Sequence, residues 1–130
     1  MIYETDFQKQ IENAFLAYSA SVAQERAIPD VRDCLKIGLR QGLYAQYSNK
    51  LTYKDKFQKA QKSVAAAMSQ SYVHGDAAMY ETFIRAARPW SYRYPVESVQ
   101  GNYGNPSSPD SHAQSRYVEM KASEIASVFF

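Results

Sequence analysis

Gly75-Asp76-Ala77-Ala78-Met79-Tyr80-Glu81-Thr82-Phe83-Ile84-Arg85-Ala86-Ala87-Arg88-Pro89 decides the fold of this chain. Gly75 and Asp76 offer a turn and a helix N-cap. Met79, Phe83, Ile84 and Ala87 then recur at helical spacing and define one apolar face, and Pro89 stops the helix. The start of this helix is small, so Gly75-Asp76-Ala77-Ala78 admits close approach to another backbone or a phosphate.

Working outward, Leu35, Leu39, Leu43 and Tyr47 form an earlier helical stripe. Thr52-Tyr-Lys-Asp55 is a capping-box variant ahead of Phe57, Val64 and Met68, predicting a helix over about 55–70. Beyond Pro89 the period changes. Ser91-Tyr-Arg-Tyr-Pro95 and Val96 to Val99 read as short extended segments closed by a Gly101-Asn102 turn. Asn105 to Ser111 is a loop rich in Pro and Ser, and Val118, Ile125, Val128 and Phe129 suggest a final helix. At the other end, Phe7, Ile11, Phe15, Tyr18 and Val22 place an amphipathic helix over 6–23, which Pro29 separates from the rest. Helix, turn, helix and a small β-region outline an α+β, mainly helical chain: a winged helix-turn-helix over 24–130 behind an N-terminal helical arm, 1–23. No internal repeat is present.

The 130 residues, 45% hydrophobic, suffice for a real core. MIYETDFQKQ has acids and no apolar run, so no signal peptide is evident, and no stretch approaches membrane-spanning length. One cysteine, Cys34, allows no internal disulfide. Cys34, His74 and His112 are too few and too scattered for zinc. The expected location is cytoplasmic.

The net charge of +2 conceals a strong asymmetry. Residues 1–34 carry −3, residues 35–93 carry ten basic and three acidic groups for +7, and residues 94–130 carry −2. The middle segment is where a polyanion would sit, although the same lysines also suit an ordinary solvated helical surface.

Four blocks occur in order: Arg26-Ala-Ile-Pro-Asp-Val-Arg-Asp33 followed by Leu35-Lys36; His74-Gly-Asp-Ala-Ala-Met-Tyr80; Arg93-Tyr94-Pro95 leading into Gln100-Gly-Asn-Tyr-Gly104; and Arg116-Tyr117. A tyrosine after an arginine can attack a phosphodiester when the guanidinium holds the phosphate beside the phenol. In a chain of eleven tyrosines the dipeptide alone means little. The ordered series resembles the DNA breakage-reunion component of type IIA topoisomerases, the A-type polypeptide of DNA gyrase and of topoisomerase IV, from about Ile11 to the C-terminus.

The resemblance implies a winged-helix domain similar to that of catabolite activator protein, and a reversible transesterification. Tyr117 would form a covalent link to a DNA 5′-phosphate. A free phenol is about one part in a thousand ionised at neutral pH, so attack needs a base or a cation that stabilises the phenolate. Arg116 would bind the non-bridging oxygens, and His74 would stabilise the transition state near the scissile phosphate. Arg26 would reach the partner protomer's site, making it composite. Lys36 and Arg40 match positions that contact DNA backbone, and the helix over 76–88 would be the recognition helix, with Gly75, Asp76, Ala77 and Arg85 on its DNA side. Ala77 and Glu81 match a quinolone-binding serine and its neighbouring acid. Without the hydroxyl, drug binding would be weak. Read as residues alone, Tyr117 also suits packing under a last helix, His74 a local turn, Arg85 a solvated helix face, and Arg32 a partner for Asp30 or Asp33.

The pattern departs from the family in places. Tyr72-Val73-His74 stands where His-Pro-His is usual, Lys36-Ile37 where Lys-Pro is, and Arg40-Gln41 where Arg-Arg is. Mg²⁺ in the family sits on an acidic cluster in the Toprim domain of a B-type subunit, and no such cluster occurs here. The chain ends at Phe130, before the place of the tower, the coiled-coil gate and the C-terminal domain. The expectation is thus a homodimeric, DNA-cleaving domain dependent on a B-type partner. The alternative is a shortened paralogue that binds DNA or a topoisomerase without cutting.

Overall fold

The computed structural model describes residues 6–108 and 111–130. The first five residues of the expected arm, and Pro109 and Asp110 of the expected loop, lie outside them. The chain divides into two units, Met1–Ile37 and Gly38–Phe130.

In the first unit, α1 spans Phe7–Val22 and starts where Asp6 Oδ1 accepts the Gln8 N–H at 3.0 Å. It runs on as a π-helical turn, Ala23–Ala27, which ends two residues before Pro29. The α1 stripe of Phe7, Ile11 and Phe15 is exposed. Asp30 organises the segment that follows. Its carboxylate takes two hydrogen bonds from the Arg32 guanidinium, at 2.8 and 3.0 Å, and its carbonyl accepts the Cys34 N–H. Of the two partners open to Arg32, it pairs with Asp30.

The second unit contains α2 (Ile37–Ser48) from its second residue on, with β1 (Gln58–Lys59), α3 (Ala60–Gln70), α4 (Asp76–Ala87), β2 (Glu97–Gln100) and β3 (Glu119–Ala122). The three strands form an antiparallel sheet in the order β1-β3-β2, with Gln58 opposite Met120 and Glu97 opposite Ala122. Helices α3 and α4 are the helix-turn-helix, and the β2–β3 pair with its connecting loop is the wing. The expected α+β, mainly helical winged helix is the fold observed.

Burial explains the arrangement. Val64 and Ala67 of α3, Met79, Phe83 and Ile84 of α4, and Val118 and Met120 beside or on β3 form one core. The helical period read in the α4 sequence is the face that enters it. Leu39 and Leu43 of α2 are buried as well, whereas Tyr47 lies outside and stacks on Phe130 at 4.7 Å.

Three local expectations are corrected. The helix predicted from about residue 55 begins at Ala60. Thr52 and Asp55 do bond as a capping box would, with Asp55 Oδ2 accepting the Thr52 N–H at 2.9 Å and its hydroxyl at 2.7 Å, but they close a turn. Residues 58–59 are then taken by β3, because a ladder satisfies their backbone across the sheet. The N-cap of α4 is Gly75, and Asp76 Oδ1 accepts the neighbouring Ala77 N–H instead. The final helix over Val118 to Phe129 is replaced by β3 and a short 3₁₀ helix, Glu124–Phe129. The alternation of buried Val118, Met120 and Ala122 is a strand period that the apolar positions further on obscured.

Candidate active site

Tyr117 lies at the end of a turn, just before β3, with 65% of its surface exposed. Its N–H donates to Gln114 O at 2.9 Å, while Val118 O accepts the Ala60 N–H at 2.9 Å and fixes the chain onto the start of α3. The Arg116 guanidinium carbon lies 4.8 Å from the Tyr117 ring centroid, a cation–π arrangement on an exposed edge. The arginine charge therefore lies over the ring of an exposed tyrosine.

The Gly101 turn of the wing backs this turn. Gly101 adopts φ 108°, and a Cβ there would stand 3.6 Å from Tyr117 O and Val118 Cα. The backbone angle suits glycine, while the space itself would admit a Cβ in ordinary contact. Gly104, at φ 97°, lies 3.2 Å by its missing Cβ from Arg88 Nη2, and Arg88 Nε donates to Tyr103 O at 3.1 Å. The Gln100–Gly104 block thus ties the end of α4 to the wing.

Tyr80 is the opposite of Tyr117. It is 7% exposed, donates its hydroxyl to Ala113 O at 2.6 Å, and has its pKa raised to about 12 by burial and by neighbouring Glu81. It stays a neutral donor through the physiological range. Of the two, the exposed Tyr117 is the one with access to a ligand.

The other expected residues fall into two groups. His74, Gly75, Asp76, Ala77 and Arg85 lie exposed on or just before the outward face of α4. His74 packs its ring edge-on against buried Tyr72 at 5.5 Å. Arg40 is half-buried on α2. Arg26, in the π-helical turn, and Lys36 are exposed and belong to the first unit. Glu81 is strongly engaged: its Oε2 lies 2.6 Å from His112 Nε2, and its Oε1 lies 3.7 Å from both Arg85 Nη2 and Arg88 Nη1.

His112 is the residue that reading the sequence missed. Nothing in its own spacing marks it, because its partner is 31 positions away. Only its place five residues before Tyr117 was a signal. Among the described residues, no three His, Cys, Asp or Glu side chains come together to hold a metal ion, and no helix is long and apolar enough to cross a membrane.

Fold and site together define a winged helix-turn-helix domain with an exposed arginine–tyrosine pair at the entry to its last strand. Residues 26–130 match the sequence model of the DNA gyrase/topoisomerase IV A-subunit family, and the chain belongs to that family. It is 39% identical over 125 residues to the DNA gyrase A-subunit of Mycolicibacterium smegmatis, covering 96% of this chain and 15% of that protein. Identity with the DNA gyrase A-subunit of Spiroplasma citri is 41%, covering 96% of this chain and 55% of that protein. With the DNA topoisomerase 4 A-subunit of Escherichia coli it is 40%, covering 88% and 15%. The chain thus spans between about a seventh and about half of the relatives it matches.

Proposed function

We propose that this domain cleaves and religates DNA as part of a type IIA topoisomerase A-type subunit. The observation that carries the reading is the exposed Tyr117, its ring under the Arg116 guanidinium, in a chain of this family. Tyr117 Oη attacks the scissile phosphorus and a P–O(tyrosyl) bond forms. The P–O3′ bond breaks, leaving a 3′-hydroxyl on one DNA end and a 5′-phosphotyrosyl diester on the other. The phenol loses a proton and the 3′-oxygen gains one, so the step is proton-neutral, and its reverse reseals the strand. One diester replaces another, which is why religation needs no added energy source.

Arg116 and His74 neutralise charge on the phosphoryl oxygens, where fixed donors act most strongly in the transition state. The N-terminal end of α4, with Gly75, Asp76 and Ala77, and the cations of residues 35–93 hold the duplex, including Lys36 and Arg40. Arg26 completes the site of a second protomer in a homodimer. Mg²⁺ would be held by the Toprim domain of a B-type partner, where it would supply charge to the phosphoryl transfer.

The test is Tyr117→Phe in the complete gene product carrying this sequence, mixed with a B-type subunit, DNA and Mg²⁺ or Ca²⁺. Removing one oxygen deletes the nucleophile and leaves the ring. Covalent protein–DNA adducts trapped by denaturant should vanish while DNA affinity persists. Adducts at the wild-type level in the Phe variant would end the assignment.

A further inference from the structure

The turn carrying Tyr117 is held by backbone bonds on both sides, and on its upstream side also by side chains of α4. Downstream, backbone does the work: Val118 O accepts from Ala60, and β3 pairs with both neighbouring strands. Upstream, the Ala113 N–H donates to Asn102 O at 2.9 Å and Ser115 O accepts the Gln61 N–H at 3.3 Å, and side chains of α4 add contacts to residues 112 and 113. Tyr80 donates its hydroxyl to Ala113 O, and Glu81 Oε2 meets His112 Nε2 at 2.6 Å. The other ring nitrogen of His112, Nδ1, lies 3.1 Å from Ala113 O, and its ring stands edge-on to Tyr80 at 5.0 Å.

Both ring nitrogens of His112 therefore face oxygen acceptors. A ring with one N–H serves one of them, and a ring with two serves both, with a charge-assisted bond to Glu81. The Glu81 carboxylate is divided accordingly: Oε2 faces His112, and Oε1 faces Arg85 and Arg88. His112 is part-buried at the margin of the core: its ring packs edge-on against Tyr80, and its bond to Glu81 ties the segment before Tyr117 to α4.

We propose that His112 is a positioning residue for strand cleavage, its bridge to Glu81 locking the segment ahead of Arg116-Tyr117 onto α4. Helix and nucleophile then move as one body, and DNA docked on α4 meets a phenol already in place. The inference rests on Tyr117 being the nucleophile. A nucleophile displaced by about 1 Å can lose on the order of 100-fold in rate, so even a loosened tether is measurable.

The experiment compares wild type with His112→Ala and His112→Gln in the complete gene product, mixed with a B-type subunit, duplex DNA and Mg²⁺. Single-turnover adduct formation at saturating DNA should fall roughly tenfold or more in the Ala variant, with DNA affinity and melting temperature unchanged. The Gln variant, whose amide can still donate to Glu81, should recover most of the rate. Glu81→Ala should lose rate as His112→Ala does, and the double variant should lose little more, as for two residues sharing one interaction. Hydrogen exchange is read on the same proteins without chemistry: amides of residues 113–117 should exchange faster in the Ala variant and near wild type in the Gln variant.

Tyr117-dependent adducts at an equal rate in wild type and His112→Ala would overturn the tether while leaving the nucleophile assignment intact. Unchanged hydrogen exchange would overturn it too, whatever the DNA chemistry shows. A loss of melting temperature matching the loss of rate would make His112 merely structural. Wild-type adducts that survive Tyr117→Phe would instead remove the functional reading and this inference with it.

Discussion

Gln46 donates from Nε2 to Glu97 Oε2 at 3.1 Å inside the domain, and the same nitrogen lies 3.2 Å from Ser63 Oγ. All three residues are buried, and they join α2, α3 and β2. Burial raises the Glu97 pKa to about 8, against a smaller lowering by the Gln46 hydrogen bond. At neutral pH the folded protein therefore keeps this carboxyl largely protonated, whereas the unfolded chain ionises it near the ordinary value of 4.5.

The sign of the pH dependence follows. The native state binds the extra proton, so the contribution of Glu97 to stability is fully present below about pH 4.5 and is lost as pH rises to about 8. The loss is on the order of a few kcal/mol. Urea midpoints measured between pH 5.5 and 8.5 should fall with pH. In Glu97→Gln, which keeps an acceptor for Gln46 and cannot ionise, that fall should be much reduced. An equal slope in both proteins would place the titration elsewhere.

Gly42 makes a second stability prediction. A Cβ at this buried α2 position would stand 2.8 Å from Phe83 Cε1 and Cζ and 3.2 Å from Met79 Sδ. Alanine is the better helix former by about 1 kcal/mol, but overpacking a core costs about 1–3 kcal/mol, and the Phe83 ring is itself fully buried. Gly42→Ala should lower the melting temperature. A rise would mean that α2 shifts freely away from α4.

Much of this was legible in the residues. The α4 helix is a strong period with a proline stop, and the glycines of the Gln100–Gly104 block mark the wing. Local signals failed where a distant partner decided. The Thr52–Asp55 box forms as written, but β3, more than sixty residues later, claims the segment behind it. Glu97 begins a strand whose neighbours suggest only an extended run, and its burial depends on Gln46 and Ser63, 51 and 34 positions earlier in the chain. Tyr117 was marked by its neighbour Arg116, whereas His112 is defined by Glu81 across the fold.

Duplex DNA binding should be sensitive to salt and tolerant of sequence. The motive is the +7 of residues 35–93, with Lys36, Lys50, Lys54, Lys56 and Lys62 exposed. Part of that charge is already matched, since Lys59 meets Glu119 at 3.0 Å and Arg85 and Arg88 share Glu81. Each phosphate neutralised adds about 0.9 to the slope of log affinity against log salt. Fluorescence anisotropy with a short duplex gives the slope. A flat response from low to physiological salt would contradict a DNA-binding role for this segment.

Arg116 separates charge from geometry at the proposed site. Its guanidinium lies over the Tyr117 ring, so the side chain has a packing role and a cationic one. Truncation to alanine removes both, and loss of one transition-state donor typically costs on the order of 100- to 1000-fold in rate. Arg116→Lys keeps the charge but loses the planar fork that can bind two phosphate oxygens at once. Single-turnover adduct formation should therefore rank wild type, then lysine, then alanine, with the alanine variant still above Tyr117→Phe, because the nucleophile remains. DNA affinity should fall far less than rate if the guanidinium binds charge that develops during the reaction. Equal losses in affinity and in rate at subsaturating DNA, with a normal rate at saturation, would make Arg116 a ground-state phosphate contact and leave the stabilisation of the transition state to His74 or another group.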